Sequence, residues 1–154
     1  MALFLSTYKN KIDKKGRVSV PSQFRSTLKG EDFEGVIIYK SIINNCLEGC
    51  PLSRIVKLNE AIESMDTLSE ERDAFATSIL GACHQISFDT EGRIIVPKDL
   101  LFNVDIEENA VFVGKGATFE IWSSDLFSKH LLKSQEIASK KKCTFRLSAN
   151  SSGS

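Results

Sequence analysis

Polar and apolar positions alternate in two nine-residue stretches of the chain, residues 13–21 and residues 89–97. The stretches lie 76 positions apart and are identical at five of their nine positions, with Asp, Gly, Arg, Val and Pro in the same places. Apolar residues outside the stretches also match at this offset: Ile12 with Phe88, Phe24 with Leu100, and Leu28 with Val104. This repetition indicates an internal duplication, and an internal repeat constrains the fold more strongly than any single motif.

Each copy predicts a hairpin turn that is followed by a strand and a short helix. In the first copy Asp13 favours a turn, and Gly16 supplies the positive φ that the turn needs. The next residues alternate as a strand with one buried face, and Pro21 ends that strand and suits the start of a helix. Short helices are therefore predicted over residues 22–28 and, in the second copy, over residues 98–102.

Runs rich in β-branched and aromatic residues predict five further strands. They cover residues 3–8, 36–40 and 46–48 in the first copy and residues 110–114 and 119–122 in the second.

Apolar residues at helical spacing predict longer helices after the strands. One follows Pro51, and the next begins at Thr67, whose spacing to Glu70 is that of a capping box, and ends near Gly81 as a C′ glycine. In the second copy a helix begins at Ser123 or Ser124. The apolar stripes of these helices predict core or subunit contacts rather than a ligand site. Residues 148–154 are small and polar, which predicts a disordered tail.

Charge is distributed unequally between the two copies, although the net charge of the chain is zero. Residues 9–29 hold seven basic residues and one acidic residue, whereas the matching residues 85–105 have a net charge of −2. A patch of +6 is the electrostatic pattern of a phosphate-binding surface. A solvated lysine face is the alternative interpretation.

The composition is that of a soluble globular protein, with 42% apolar and 26% charged residues. No apolar run is long enough to span a membrane and no signal peptide is evident, so a cytoplasmic location is expected. The four cysteines lack the spacing of a zinc site, and reduced, mostly buried thiols are expected. Only two histidines are present and no catalytic motif is found, which predicts no enzyme activity, no metal and no cofactor.

The doubled Asp-x-x-x-Arg motif, each copy followed by apolar-x-Val-Pro and a short helix, closely resembles the MraZ family. The resemblance covers roughly residues 1–140 and includes the Leu80-Gly81-Ala82 stretch before the second copy. It implies an α+β fold in which two AbrB-like swapped-hairpin β-units form a pseudo-dimer within one chain, a small β-barrel with flanking helices. The expected divisions are 1–66, the first repeat and its helix; 67–82, a connecting helix; 83–140, the second repeat and its helix; and 141–154, a flexible tail.

The resemblance also implies a function. Family members are transcriptional regulators that bind direct repeats in the promoter of the division and cell-wall gene cluster and assemble into closed rings. A nucleoid-associated protein with DNA and its own copies as partners is therefore expected, without a membrane or small-molecule partner. An antitoxin-like module that binds a partner protein, as in other members of the swapped-hairpin group, is the alternative.

The motif residues that the resemblance carries over are Asp13, Arg17, Asp89 and Arg93. Together with the basic patch they give the predicted DNA-binding set, which is Lys9, Lys11, Lys14, Lys15, Arg17, Arg25 and Arg93. The predicted turn residues are Asp13, Gly16, Pro21, Asp89, Gly92 and Pro97. Each Asp–Arg pair could instead act only as an ion pair that closes its turn. Arg17, with its lysine neighbours, favours a DNA contact, and for Arg93 both interpretations stay open.

Overall fold

The computed structural model of the chain describes residues 2–147. These residues divide by contacts into two units, the first ending at Ser124 and the second beginning at Asp125. The strands are β1 Thr7–Lys11, β2 Arg17–Ser19, β3 Gly35–Lys40, β4 Leu47–Cys50, β5 His84–Ser87, β6 Arg93–Ile95, β7 Asn109–Gly114 and β8 Phe119–Ser123. The helices are α1 Ser22–Leu28, α2 Leu52–Glu63, α3 Glu70–Phe75, α4 Lys98–Asn103 and α5 Ser124–Lys140, with a π-helical turn at Ala76–Leu80 and a 3-10 turn at Lys142–Thr144.

Strands of the two repeats are interleaved within the first unit. Six antiparallel strands follow the order β1-β7-β8-β4-β3-β5, and β2 pairs with β6 in a separate two-stranded ribbon. The edge strand β1 of the first repeat pairs with β7 of the second, and the edge strand β5 of the second repeat pairs with β3 of the first. Each repeat therefore takes strand partners from the other, and neither completes the sheet alone.

The predicted α+β class is confirmed, since an antiparallel sheet is combined with helices. The predicted barrel is not formed as a closed sheet among residues 2–147, where β1 and β5 are the two outer strands. The physical reason lies in the turn after β1. Only one bridge, between Ile12 and Val18, joins the two sides of this hairpin before the chain continues as β2, which pairs with β6 instead.

One buried cluster joins the ribbon, the sheet and the short helices α1 and α4. From the ribbon, Val18 and Ile94 enter this cluster and are each only 1% exposed. From α1, Phe24 places its ring centroid 5.4 Å from that of Phe4 and 5.0 Å from that of Phe119 on β8. Each such side chain contributes about 1.5–3 kcal/mol when it is fully buried. The ribbon is thus held against the sheet by apolar packing.

A second buried cluster lies on the opposite face of the sheet. Ile37 and Tyr39 alternate along β3 with residues of the first cluster, so their side chains point the other way. Leu52, Ile55 and Leu58 of α2 pack against them. The helical stripe predicted for this segment is therefore a packing face in the first unit.

The predicted strand over residues 3–8 is wrong in its bounds, because β1 begins at Thr7. Ser6 has a φ of 79°, which breaks extended backbone before the strand. Phe4 forms a separate bridge with Gly116, and its side chain is buried whereas Leu5 is exposed.

The predicted helix start at Thr67 is also wrong. Ser69 N–H donates to the Asp66 carbonyl over 3.0 Å, which makes a turn, and α3 begins after Ser69. The Ser69 hydroxyl accepts from the backbone N–H of Arg72 over 3.1 Å and is the actual N-cap.

The predicted C′ glycine at the other end of this helical segment is wrong as well, because Gly81 has a φ of −68° and is not left-handed. A Cβ atom there would lie 2.9 Å from the Thr77 carbonyl oxygen, so close approach to the backbone favours glycine.

The second unit contains most of α5 and the 3-10 turn that follows it. Leu131, Leu132 and Ile137 of α5 are exposed. The tail predicted over residues 148–154 lies outside the described residues. Among residues 2–147, no helix has the length and apolar character needed to cross a membrane.

The first hairpin turn provides a test of the fold. Gly16 has a φ of 88°, and a Cβ atom there would lie 2.5 Å from the carbonyl oxygen of Val96. Gly30 has the same φ of 88° but has no atom within 4 Å of its Cβ position, so Gly30→Ala isolates the backbone penalty. We expect Gly30→Ala to lower the free energy of unfolding by about 1–2 kcal/mol and Gly16→Ala by about 3 kcal/mol or more. Urea unfolding of both variants measures the difference, and equal losses would contradict the close contact with Val96.

Candidate nucleic-acid interface

The two turns are built from the same hydrogen bonds. In the first turn Asp13 N–H donates to the Arg17 carbonyl over 3.0 Å, and the Asp13 carboxylate accepts from the backbone N–H groups of Lys15 and Arg17, both over 2.9 Å. In the second turn Asp89 accepts from the N–H groups of Glu91 and Arg93 over 2.8 and 2.9 Å. The aspartate at each turn thus organises the backbone, and the chain is bent to carry the arginine at the start of the ribbon strand.

Each turn is also fixed to the other repeat through its glycine. Val96 N–H donates to the Gly16 carbonyl over 2.9 Å, and Val20 N–H donates to the Gly92 carbonyl over 3.2 Å. The prolines that follow these valines, Pro21 and Pro97, occupy the N-cap positions of α1 and α4. The turn residues predicted from the sequence therefore lie where the ribbon ends and the short helices begin.

The register of the ribbon decides which side chains share its outer face. Val18 lies opposite Ile94, and both point into the core. Because side chains alternate along a strand, the residues on either side of this central pair point outward. The outer face consists of Arg17 opposite Ile95 and of Ser19 opposite Arg93.

The two outward arginines have different partners. Arg17 Nε lies 2.7 Å from the Asp13 carboxylate, and Arg93 Nε lies 2.8 Å from the Asp89 carboxylate. Arg93 makes a further ion pair, in which Nη2 lies 2.8 Å from the carboxylate of Glu91. Both ends of the Arg93 guanidinium are thus engaged by carboxylates of its own turn, whereas the ion pair described for Arg17 uses only Nε.

The electrostatics follow from these contacts. Bonds from the backbone N–H and then from the side chain of Arg17 hold the pKa of Asp13 below its usual value. The pKa of Asp89 is lowered in the same way by the backbone N–H of Arg93. The hydrogen bond with Asp89 raises the pKa of Arg93, and the charges of Glu91 and Asp13 add to this. Since Asp13 belongs to the other turn, the two turns share one electrostatic environment.

The predicted lysines lie on β1 and in the first turn. Lys9 and Lys11 lie on β1 with exposed side chains, and Lys14 and Lys15 are exposed in the turn itself. The corresponding positions of the second repeat are occupied by Gln85, Ser87, Thr90 and Glu91. The first repeat thus carries four exposed lysines on β1 and in its turn, and the second repeat has no lysine at the matching positions.

Arg25 lies in a different environment from the other predicted cations. It is half-buried on α1, and its Nε donates to the Val20 carbonyl over 3.1 Å. A Cβ atom at Gly92 would lie 2.7 Å from Arg25 Cζ, so the guanidinium rests against the second turn. The equivalent position in the second repeat is Leu101, whose Cδ1 would lie 3.6 Å from a Cβ at Gly16. Arg25 therefore packs where the other half uses a leucine.

Three residues of this region were not predicted from the sequence. Asn10 Nδ2 donates to the Ser19 carbonyl over 2.8 Å and ties β1 to the ribbon. Ser19 and Ile95 share the outer face with the arginines. The alternation of each strand contained the signal for the last two, since positions two residues after Arg17 and Arg93 must face the same way.

The cysteines give no alternative site. Cys46 and Cys50 are buried, and burial raises the pKa of Cys50 to about 12. Cys143 is exposed. Among residues 2–147 no group of three or more His, Cys, Asp or Glu side chains is arranged to hold a metal ion.

Comparison with known proteins matches both repeats. A family model described as "MraZ protein, putative antitoxin-like" matches residues 3–76 and 79–148. A protein of Rickettsia rickettsii (strain Sheila Smith) named "Transcriptional regulator MraZ" is 54% identical over 146 residues, which cover 95% of this chain and 98% of that protein. Proteins of the same name from Rickettsia akari (strain Hartford) and Rickettsia canadensis (strain McKiel) are 53% and 52% identical over the same shares.

The role of Asp13 can be tested through pH. Asp13→Asn keeps an oxygen for the backbone N–H groups but loses the charge that pairs with Arg17, and Asp13→Ala loses both. We therefore expect Asp13→Ala to lower the thermal midpoint more than Asp13→Asn at about pH 7. The folded pKa of Asp13 is depressed, so its carboxylate stabilises the fold above its unfolded pKa of about 3.9, and this stabilisation is lost as the pH falls through the folded value.

Thermal unfolding from about pH 7 down to about pH 3 measures this dependence. The midpoint difference between wild type and Asp13→Asn should shrink toward acid pH, with Asp89→Asn as the matched variant of the second turn. A midpoint difference that is constant over this pH range would show that the charge of Asp13 does not stabilise the fold.

Proposed function

The chain belongs to the MraZ family of transcriptional regulators, as its doubled motif predicts, and we propose that it regulates transcription by binding specific DNA sequences through the outer face of the ribbon. The names of its relatives agree with the prediction of a protein that is not an enzyme. The observation that carries the proposal is the outward-facing Arg17, whose side chain is 38% exposed, in a repeat that carries four exposed lysines, on a ribbon whose other face is buried.

The proposed contact follows from dimensions and charge. A two-stranded ribbon is narrow enough to enter the major groove of DNA, where arginine can donate two hydrogen bonds to guanine. Lysines beside the ribbon contact phosphates and fix its position without reading sequence. In this proposal Arg17 contacts a base edge, and Lys9, Lys11, Lys14 and Lys15 bind the flanking phosphates. Arg93 makes a weaker contact because Glu91 competes for its guanidinium.

Arg25 takes a different part in the proposal. Its Nε bond to the Val20 carbonyl and its packing on Gly92 favour a positioning role over direct contact with DNA. In this role the guanidinium packs against Gly92 of the second turn, and its bond to the Val20 carbonyl fixes the backbone just after β2.

The finer fold assignment is part of the same proposal. The exchange of strand partners between repeats, with β1 on β7, β5 on β3 and β2 on β6, supports an AbrB-like swapped-hairpin pseudo-dimer within one chain. Each hairpin then places its turn beside the strand of the other repeat, which is how a single chain would provide a complete DNA-binding module.

A ring of subunits completes the proposal. One ribbon offers few contacts, and binding of several linked copies to spaced direct repeats raises the affinity by avidity. Exposed apolar side chains suit contacts between subunits, and those of the first unit include Leu3, Leu5, Ile42, Ile43 and Phe102. The proposed target is the promoter of the division and cell-wall gene cluster, and the proposed location is the cytoplasm, at the nucleoid.

The second candidate function is an antitoxin-like contact with a partner protein. The family description includes an antitoxin-like character, and Phe145 and Leu147 near the end of the described chain are each 78% exposed. These side chains would serve as apolar anchors for such a partner. Co-purification of the chain with a second small protein would favour this candidate.

The two arginines should contribute unequally to DNA binding. We expect Arg17→Ala to weaken binding to a duplex from upstream of the protein's own gene by about tenfold or more, since a bidentate contact is worth about 1–3 kcal/mol. Arg93→Ala should cause a smaller loss, because Glu91 already holds that guanidinium. Glu91→Gln should raise the affinity, with Glu60→Gln on α2 as the charge-matched control. Fluorescence anisotropy with a labelled duplex measures all four variants.

Scrambled duplex and two salt concentrations are the controls for this experiment. Affinity should fall as the salt concentration rises. The logarithm of the binding constant should fall linearly with the logarithm of the salt concentration, with a slope of about −0.9 for each phosphate neutralised. Equal losses for Arg17→Ala and Arg93→Ala would contradict the proposed asymmetry. Equal affinity for scrambled duplex, or no binding to either duplex, would move the interpretation to the protein-partner candidate.

The ring can be tested independently of DNA. Light scattering at micromolar concentration should give one species with a mass several times that of the single chain. A clean monomer under these conditions would remove the avidity mechanism.

A further inference from the structure

The outer face of the ribbon carries one apolar side chain among its polar ones. Ile95 is 57% exposed, whereas its neighbour Ile94 is 1% exposed in the core. At the equivalent position of the first repeat stands Ser19. The duplication therefore places a serine and an isoleucine at matching points of one face, so this face is chemically different at its two ends.

The register places Ile95 directly opposite Arg17. Side chains at such paired positions have their Cβ atoms about 4.5–5.5 Å apart. Successive base pairs in DNA are about 3.4 Å apart along the axis. A base contacted by Ile95 would therefore lie within about one or two steps of the base contacted by Arg17.

The chemistry of the major groove decides what Ile95 would contact. Base edges in the groove present hydrogen-bond donors and acceptors, and the apolar group among them is the C5-methyl of thymine. The side chain of isoleucine cannot form a hydrogen bond with a base edge. It can bury the thymine methyl group against its aliphatic carbons.

We propose that Ile95 is a specificity-determining residue that recognises the methyl group of a thymine near the base read by Arg17. This inference rests on the proposed function, since it requires the ribbon to lie in the major groove. It assigns the two strands of the ribbon different tasks: Arg17 of β2 makes a polar contact, and Ile95 of β6 makes an apolar one.

Replacing single thymines by deoxyuridine tests this directly. Uracil keeps the base pair and the O4 acceptor of thymine and lacks only the methyl group. The experiment measures anisotropy of the upstream duplex with each thymine replaced in turn, for the wild type, Ile95→Ser and Ser19→Ala. Ile95→Ser introduces the residue that the first repeat has at this position, and Ser19→Ala alters the same face without touching Ile95.

We expect wild type and Ser19→Ala to lose about fourfold in affinity at one or two thymines, as removal of one buried methyl group implies. Ile95→Ser should bind the full duplex more weakly and show no loss at those same positions. Its salt dependence should equal that of the wild type, because no charge is removed.

Two outcomes would overturn the inference. One is specific binding by the wild type that no single deoxyuridine weakens, and the other is unchanged deoxyuridine sensitivity in Ile95→Ser. If that unchanged sensitivity is accompanied by a change of oligomeric mass, Ile95 is assigned to a subunit contact. Failure of the wild type to bind the unmodified duplex would instead contradict the proposed function. If Ile95→Ser does not fold, Ile95→Val, which keeps the β-branch, should give a partial loss of the same discrimination.

Discussion

Two main-chain hydrogen bonds between the repeats determine the geometry on which the rest of the structure depends. Val96 N–H donates to the Gly16 carbonyl, and Val20 N–H donates to the Gly92 carbonyl. Each bond joins the turn of one repeat to the strand end of the other, so β2 and β6 are held in a single register. That register buries Val18 and Ile94 and directs their neighbours outward. A side chain larger than hydrogen at Gly16 would meet the Val96 oxygen, which makes this contact intolerant of substitution.

The same backbone presents two chemically different turns. Both aspartates accept the same backbone N–H groups, yet the first turn carries lysines where the second carries Thr90 and Glu91. The Glu91 carboxylate pairs with Nη2 of Arg93, so this nitrogen is less able to bind an external anion. Duplication supplied two equivalent scaffolds, and substitution at a few exposed positions made their surfaces unequal. A change of function at such positions costs little stability, because the exposed residues do not carry the core.

Local features of the sequence were sufficient to predict the turns, the strands after them and the short helices. The apolar pairs that match at the 76-residue offset, Phe24 with Leu100 and Leu28 with Val104, are buried. Long-range features were not predictable in this way. The pairing of β2 with β6 and the packing of Arg25 on Gly92 join residues more than 60 positions apart, and no local pattern encodes them. The helix start predicted at Thr67 was wrong because a turn, closed by the bond from Ser69 N–H to the Asp66 carbonyl, occupies that position and leaves Ser69 as the N-cap.

The most direct measurement is amide hydrogen exchange, followed by mass spectrometry, on the full chain with and without the upstream duplex. DNA should slow exchange in peptides that cover residues 9–20 more than in peptides that cover residues 85–96, and a scrambled duplex should produce little of this difference. Such a result would place the DNA contact at the first turn. Equal protection of the two segments, or protection confined to α5 and the residues after it, would contradict a DNA-binding surface centred on Arg17.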